Sequence, residues 1–368
     1  MKHKKITLFG FYGRKNSGDD AMLYGILKYL SEKSIATVYV PSDIEIVLPV
    51  VNNNIVIIPR NIKSIFKSIK QSDYLLIGGG SLFHTKGKRL KFKIMVSRIF
   101  ALALSARIYK CKVSFISAGI GPFENAYGRM INKFMLNCCD FINVRDVKSY
   151  DLILKAGYPK SRCSLTTDFA YAITPPPGFA SLPVEDKIAI NLLPYCTEYS
   201  GLDNNDTIIE TYKTIIKSLL ENGITKRIDL ICINAEEDVI SGDKPLLETL
   251  YKEVNDDRVQ FVPYSTDPLQ MMQKIKSAKL FVTFRYHGIV YAHITGVPCA
   301  ALEYHTKSEM LIKAIDRKEI AGFPLSMMEN PSEVLNVICK QLKMEHFEPD
   351  NNNFNLIIEN SFPENYFR

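Results

Sequence analysis

Tyr74-Leu75-Leu76-Ile77-Gly78-Gly79-Gly80 is the stretch on which the reading of the fold turns. Four large apolar residues in an unbroken row suit a strand buried on both faces. Such strands belong to parallel sheets covered by helices. Three glycines follow where the strand should end. Glycine gives up more chain entropy on folding than any other residue, so a run of three at a strand's carboxyl end implies a close ligand or a close neighbouring backbone. The reading favours a ligand.

The same grammar extends in both directions. Upstream, Ile6 to Gly10 is an apolar run ending in glycine, followed by an amphipathic segment from Asp19 to Lys33 and strand-like runs at Thr37–Pro41 and Ile55–Pro59. Downstream, Val113–Ala118 leads into Gly119-Ile120-Gly121-Pro122, and Phe141–Val144 leads into Arg145-Asp146. Pro175-Pro176-Pro177-Gly178 then interrupts the pattern, because consecutive prolines neither continue a helix nor pair inside a sheet. Beyond it, strands are expected at Ile188–Leu193, Ile228–Asn234, Val259–Tyr264, Leu280–Thr283 and Ala300–Tyr304. Helices are expected at Asp206–Asn222, Lys244–Asn255, Pro268–Ala278 and Pro331–Lys343, with Asp267 capping the third. The chain of 368 residues suits two domains at roughly 150 residues each. The expected architecture is α/β: two Rossmann-like domains facing across a cleft, over residues 1–174 and 187–345, with a linker at 175–186 and a tail at 346–368. In such sheets ligands sit beyond the carboxyl ends of the strands.

Composition narrows the class without choosing a function. The chain is 46% hydrophobic and 23% charged, as ordinary globular proteins are. A net charge of +7 suits anionic partners of several kinds. The eight cysteines include no C-x-x-C pair and read as buried thiols, so neither a zinc knuckle nor a redox pair is expected. The run Ile6–Tyr12 is too short for a secretory leader, and no stretch approaches the ~20 apolar residues of a membrane span. The chain is expected to stay in the cytoplasm and to bind no nucleic acid.

Four motifs lie at strand ends. Gly10-Phe11-Tyr12-Gly13-Arg14-Lys15-Asn16-Ser17-Gly18-Asp19-Asp20-Ala21 joins the first strand to the first helix, where free amides are on offer. Its spacing is neither G-x-G-x-x-G nor a Walker loop; Asn16 and Asp19 suit sugar hydroxyls or a helix cap. The second motif is Gly78-Gly79-Gly80-Ser81-Leu82-Phe83, and the third is Val144-Arg145-Asp146-Val147-Lys148-Ser149. In the third, Arg145 either points at a ligand or pairs with Asp146. The fourth, Thr283-Phe284-Arg285-Tyr286-His287-Gly288, is followed by a strand ending at Glu303-Tyr304-His305-Thr306-Lys307. Arg285 offers planar recognition of phosphate or carboxylate, His287 a hydrogen bond or proton near neutral pH, and Lys307 a point charge. Gly288 lets the chain enter a helix beside a ligand. Three cationic groups from adjacent strand ends suit a small polyanion.

In their order and spacing these motifs resemble the polysaccharide pyruvyl transferase family, from about residue 6 to residue 310. The resemblance implies the glycosyltransferase-B type of fold, phosphoenolpyruvate as donor, and a pyruvate ketal on a sugar of a cell-surface (capsular or exo-) polysaccharide or its lipid-linked precursor. It implies no metal and no cofactor. The family's Arg-x-His-Gly motif corresponds to Arg285, His287 and Gly288, and its cleft arginine and lysine to Arg145 and Lys307. The resemblance puts the donor on the second domain and the acceptor on the first, with Asn16, Asp19 and Gly78, Gly79 and Gly80 facing the sugar. Asp20 departs from the family's more frequent glutamate. Asp168 is a candidate base. Two alternatives stay open: a glycosyltransferase of the same architecture using a nucleotide sugar, although Glu303 and Glu309 fit its paired glutamates poorly, and a non-catalytic glycan- or nucleotide-binding protein.

Residues 86–112 carry nine basic residues and no acidic one, interleaved with large apolar residues. The stretch reads either as an interfacial helix touching the inner face of the membrane or as a core helix with a solvated basic face.

Overall fold

Apolar runs separated by amphipathic segments fold, in a computed structural model, into two parallel sheets. The structure describes residues 4–33, 35–48, 51, 54–85, 90–123, 126–194, 205–236, 242–304, 306–349 and 352–367. Residues 86–89 of the basic stretch lie outside the described residues. The first sheet is built from β1 (Lys4–Phe9), α1 (Ser17–Ser31), β2 (Ile35–Ser42), β3 (Asn54–Pro59), α2 (Ile62–Gln71), β4 (Tyr74–Thr85), α3 (Leu90–Ile108), β5 (Lys112–Phe123), α4 (Ala126–Cys138), β6 (Phe141–Val144), α5 (Val147–Lys155) and β7 (Cys163–Leu165). The second comprises β8 (Glu185–Asn191), α6 (Asn205–Glu221), β9 (Arg227–Ile231), α7 (Lys244–Val254), β10 (Val259–Val262), α8 (Pro268–Lys276), β11 (Ala278–Thr283), α9 (Tyr286–Thr295), β12 (Cys299–Glu303), α10 (Thr306–Ile315), β13 (Ile320–Pro324) and α11 (Pro331–Gln341). Asp267 caps α8 by accepting from the Leu269 amide at 2.9 Å.

The strand orders are β3-β2-β1-β4-β5-β6-β7 and β10-β9-β8-β11-β12-β13. Both run outward from a central strand and then reverse, which is the doubly wound Rossmann pattern, so the chain is α/β with two Rossmann-like domains. The reversal falls between β1 and β4 in one sheet and between β8 and β11 in the other, and there the crevice beyond the strands opens. Leu75 and Ile77 pack with Val96, Ile99 and Ala103 of α3, while Tyr74 and Leu76 are also buried. Burial on both faces is why β4 carries no polar alternation.

Two elements outrun the sequence reading. β4 does not stop at Ile77 but continues through the three glycines to Thr85, and β5 continues past Gly119 to Phe123. The register of the β4–β5 pair shifts after Gly80, where Gly79 and Gly80 take φ of 73° and 96°. Those angles are cheap only for glycine, so the run lets the strand bulge and go on rather than end.

The chain divides into two compact units: residues 1–14, 19–174 and 351–368 form one, and residues 15–18 and 175–350 the other. Two short segments thus depart from a division by continuous sequence. Residues 15–18 fall with the second unit. The tail returns to the first, through α12 (Asn352–Glu359) and the residues after it. The Phe354 ring stacks on Tyr171 at 4.2 Å. Phe362, 5% exposed, meets the rings of Phe141, Tyr366 and Phe367 at 5.1–5.2 Å. The Tyr74 hydroxyl donates to the Tyr366 carbonyl at 2.8 Å. The aromatic residues of the tail are therefore part of the first unit's core. Replacing Phe362 by alanine should cost about 3–5 kcal/mol of stability, read as an earlier urea transition of the first unit; an unchanged transition would show that the tail is not a structural element.

Candidate functional site

In the first unit, the loop after β1 is built around Tyr12. Its ring is fully buried and its hydroxyl donates to the Gly78 carbonyl at 2.7 Å. Burial pushes the phenol well above its ordinary pKa, with the Asp19 carboxylate adding to the effect, so it stays a neutral donor. Arg60 clasps the same loop, donating from Nη1 to the Gly10 carbonyl at 2.7 Å and from Nη2 to the Tyr12 carbonyl at 2.5 Å. The Gly13 amide donates to Asp20 at 2.8 Å, so Asp20 supports the turn into α1.

This packing revises the reading of the glycines. A Cβ on Gly78 would lie 2.0 Å from the Ile116 carbonyl oxygen, and one on Gly79 2.7 Å from the Tyr12 ring. At these two positions the close neighbour given to a ligand is protein. Gly80 is different: its nearest neighbour is an Asp19 carboxylate oxygen, 3.2 Å from where a Cβ would stand.

Arg145 follows β6 and its Nη1 meets Asp168 at 2.7 Å, with side chains 6% and 0% exposed. Asp146 does not pair with it. Asp146 caps α5 instead, accepting from the Ser149 amide and hydroxyl at 2.8 Å each. Asp168, read as a candidate base, also accepts from the Ala170 amide at 3.0 Å. The Asp168 carboxylate thus holds Arg145 at the end of β6.

The second unit carries the remaining residues. Asn16 and Asn234 form an antiparallel bridge, Ser17 donates to the Ile233 carbonyl at 2.9 Å, and Ala235 to the Lys15 carbonyl at 2.8 Å. The Tyr291 hydroxyl donates to the Ser17 carbonyl at 2.6 Å. These bonds place Asn16 in the second unit rather than the first, where the sequence reading had it. Its side chain accepts from the Gly18 amide at 3.1 Å and so helps start α1. A Cβ on Gly18 would come within 2.1 Å of His287 Nδ1, which shows how closely that imidazole is seated.

Arg285 stands at the N-cap of α9, just beyond β11, and His287 and Gly288 lie in the first turn of that helix. Arg285 Nε and Nη2 both meet Asp243 Oδ1, at 2.8 and 2.6 Å. The other oxygen of Asp243 accepts from the Asn191 side chain at 2.9 Å and from the amides of Ile233 and Asn234 at 3.1 and 2.9 Å. Burial alone would weaken the guanidinium's hold on its proton, but the Asp243 carboxylate outweighs it and the pKa lies above the ordinary value. The Arg285 side chain keeps 16% of its surface. Gly288 is required by packing, since a Cβ there would stand 2.0 Å from Thr283 Oγ1. Lys307 lies in the first turn of α10 rather than at a strand end, half-buried, after the strand that pairs with β11. Adjacent strands thus deliver the arginine–histidine turn and the lysine to one edge of the sheet.

Sequence reading missed Asp243 and Arg60, and gave Tyr12 of the first motif no role of its own. Asp243 stands just before α7, where an aspartate reads as a helix cap, yet it makes no capping bond there. Among the described residues no group of three or more His, Cys, Asp or Glu could hold a metal ion. The described cysteines are free, and burial pushes the Cys111 and Cys232 thiols up to about 12.

The chain is thus a protein of two Rossmann-like α/β units, each with polar and cationic groups at its strand ends. In fold it is similar to the UDP-GlcNAc 2-epimerase of Methanocaldococcus jannaschii, at a TM-score of 0.62 and 14% identity over 97% of this chain and 98% of that one. A putative UDP-N-acetylglucosamine 2-epimerase of Listeria monocytogenes is similar at 0.60 and 14%, over 97% and 95%. Residues 16–306 match the polysaccharide pyruvyl transferase family, and the chain belongs to that family. It is 21% identical over 284 residues to the amylovoran biosynthesis protein AmsJ of Erwinia amylovora, a match spanning 74% of this chain and 66% of that relative.

Removing Asp243 should strand a buried arginine. Asp243→Ala is expected to cost about 3–5 kcal/mol, whereas the double variant Asp243→Leu/Arg285→Met should cost distinctly less because no charge is left unpaired. Urea unfolding of both variants checks this; equal losses would mean that the pair is not the anchor described.

Proposed function

We propose that this chain transfers the pyruvyl group of phosphoenolpyruvate to a sugar diol of a surface polysaccharide or of its lipid-linked precursor, forming a cyclic ketal. The observation that carries the reading is the Arg285–His287 turn beyond β11, anchored by Asp243, with Lys307 after the neighbouring strand, in a chain of this family.

The donor has two anionic groups, and the reaction needs both held while charge develops between them. The methylene carbon takes up a proton, and a sugar hydroxyl bonds to the adjacent carbon. Phosphate leaves with the electron pair of its carbon–oxygen bond. The second hydroxyl then closes the ring. Of the two hydroxyl protons, one is balanced by the new methyl group and the other leaves with phosphate. Arg285, its plane fixed by Asp243, suits the carboxylate or phosphate. Lys307 adds a second charge. His287 serves as phosphate ligand or proton donor, and general acid help of this kind is worth roughly 10²–10⁴-fold. Arg145 enters as a donor ligand through the family resemblance. Asp19 beside Gly80 offers a carboxylate to sugar hydroxyls.

A panel of simple and lipid-linked glycosides incubated with phosphoenolpyruvate tests the reading. Phosphate release together with a pyruvyl mass increment on the glycan is expected. Arg285→Lys and His287→Ala should each remove most of that activity with the fold retained. Turnover near wild type in either variant would take this turn out of the mechanism. The nucleotide-sugar alternative has the fold likeness in its favour, and the same panel decides it, since it predicts transfer from a UDP-sugar and none from phosphoenolpyruvate.

The balanced reaction calls for no Lewis acid and no electron carrier. Activity is therefore expected to persist in EDTA. Complete loss restored by a divalent ion would point to nucleotide-sugar or phosphoryl chemistry instead.

A further inference from the structure

α3 and α4 are consecutive helices on the first unit, and their outward faces are unusual. The inner face of α3 supplies Val96, Ile99, Leu102, Ala103 and Ala106 to the core. A surface helix with that inner face should be polar on the other. Instead, Ile94, Ala101, Leu104 and Ile108 stand exposed along one outer stripe, with Arg98 among them. On α4 the exposed stripe holds Arg129, Met130, Lys133 and Phe134. The Phe100 and Phe134 rings lie 6.3 Å apart and join the two stripes. The five large apolar residues of this face (Ile94, Leu104, Ile108, Met130 and Phe134) are 43–71% exposed. Contiguous exposed apolar surface on this scale marks an interaction site.

The charge on these helices has one sign. α3 contains Lys91, Lys93, Arg98 and Arg107, the last paired with Asp140 at 2.9 Å, α4 contains Arg129 and Lys133, and neither helix contains an acidic residue. Two copies meeting through this face would oppose like charges, as any two-fold interface brings a patch against itself. An anionic bilayer meets both features, taking large apolar side chains into its headgroup region while attracting each base by about 1 kcal/mol.

We infer that the α3–α4 face docks the protein on an anionic lipid surface. Within the 86–112 stretch, α3 is then a core helix on one side and an interfacial helix on the other, and α4 completes the surface. The inference deepens the lipid-linked acceptor of the proposed function and rests on that reading for its purpose, though not for the binding itself.

Sedimentation with vesicles of equal parts phosphatidylglycerol and phosphatidylcholine, at low ionic strength where attraction is least screened, tests it without any turnover. The full chain is expected to pellet with these vesicles and to stay in solution with pure phosphatidylcholine. Arg98→Gln/Lys133→Gln should weaken partition about fivefold per base removed, and Leu104→Ser/Met130→Ser should also release the protein, both with an unchanged circular dichroism spectrum. Wild type remaining in the supernatant, or both variants binding as wild type does, would overturn the inference. So would a concentration-dependent dimer abolished by Leu104→Ser/Met130→Ser, which would make a second copy the occupant. Pyruvyl transfer to a water-soluble glycoside, measured alongside, separates the two failures. Transfer without vesicle binding removes only the docking surface, and vesicle binding without transfer removes only the proposed reaction.

Discussion

Asp243 has no exposed surface, yet its carboxylate accepts from the amides of Ile233 and Asn234, from Asn191 and from Arg285. These partners come from the ends of β8, β9 and β11, which meet at the point where the second sheet reverses its order. A buried charge survives only when paired and hydrogen-bonded, and here the demand is met by strand ends that must then stay together. Thr283 extends the same arrangement, donating to Asn191 at 3.2 Å while accepting from the Arg285 amide at 3.1 Å. The position of Arg285 is therefore set by backbone geometry on three strands rather than by its own turn.

The first unit repeats the device with other residues. Arg145 leaves the end of β6 and is held by Asp168, which is itself fixed by an amide of the following turn. In both units an arginine at a strand end is oriented by a fully buried aspartate distant in sequence. This arrangement fixes the plane of the guanidinium, which preorganises a group expected to meet an anion.

Much of the architecture was legible in the chain. Apolar rows such as Tyr74–Ile77 and Ile188–Leu193 announce buried parallel strands, and their alternation with amphipathic segments announces two doubly wound sheets. Continuation of β4 and β5 through glycine was not legible, since a glycine run reads equally as a stop and as a bulge. The arginines and His287 could be singled out because their residue types and places at strand ends carry chemistry. Their aspartate partners could not, because Asp168 and Asp243 lie 23 and 42 residues from the arginines they hold. Asp243 moreover sits where a helix cap would. The packing of Gly78 and Gly79 was not legible for a related reason. Nothing local to Gly78 or Gly79 tells that Ile116 or Tyr12 fills the space beside them.

Residues 15–18 and the tail beyond 350 place short pieces of chain in units that their neighbours in sequence do not share. Neither unit can then be encoded by one uninterrupted length of gene. A cut between Thr174 and Pro175 would leave the second sheet without the strand-like bridge at Asn16, and the first without the aromatic plug around Phe362. Exchange of halves between relatives, by recombination or in the laboratory, would have to carry these small pieces with the half they serve. The protein is two folds in architecture and one heritable module.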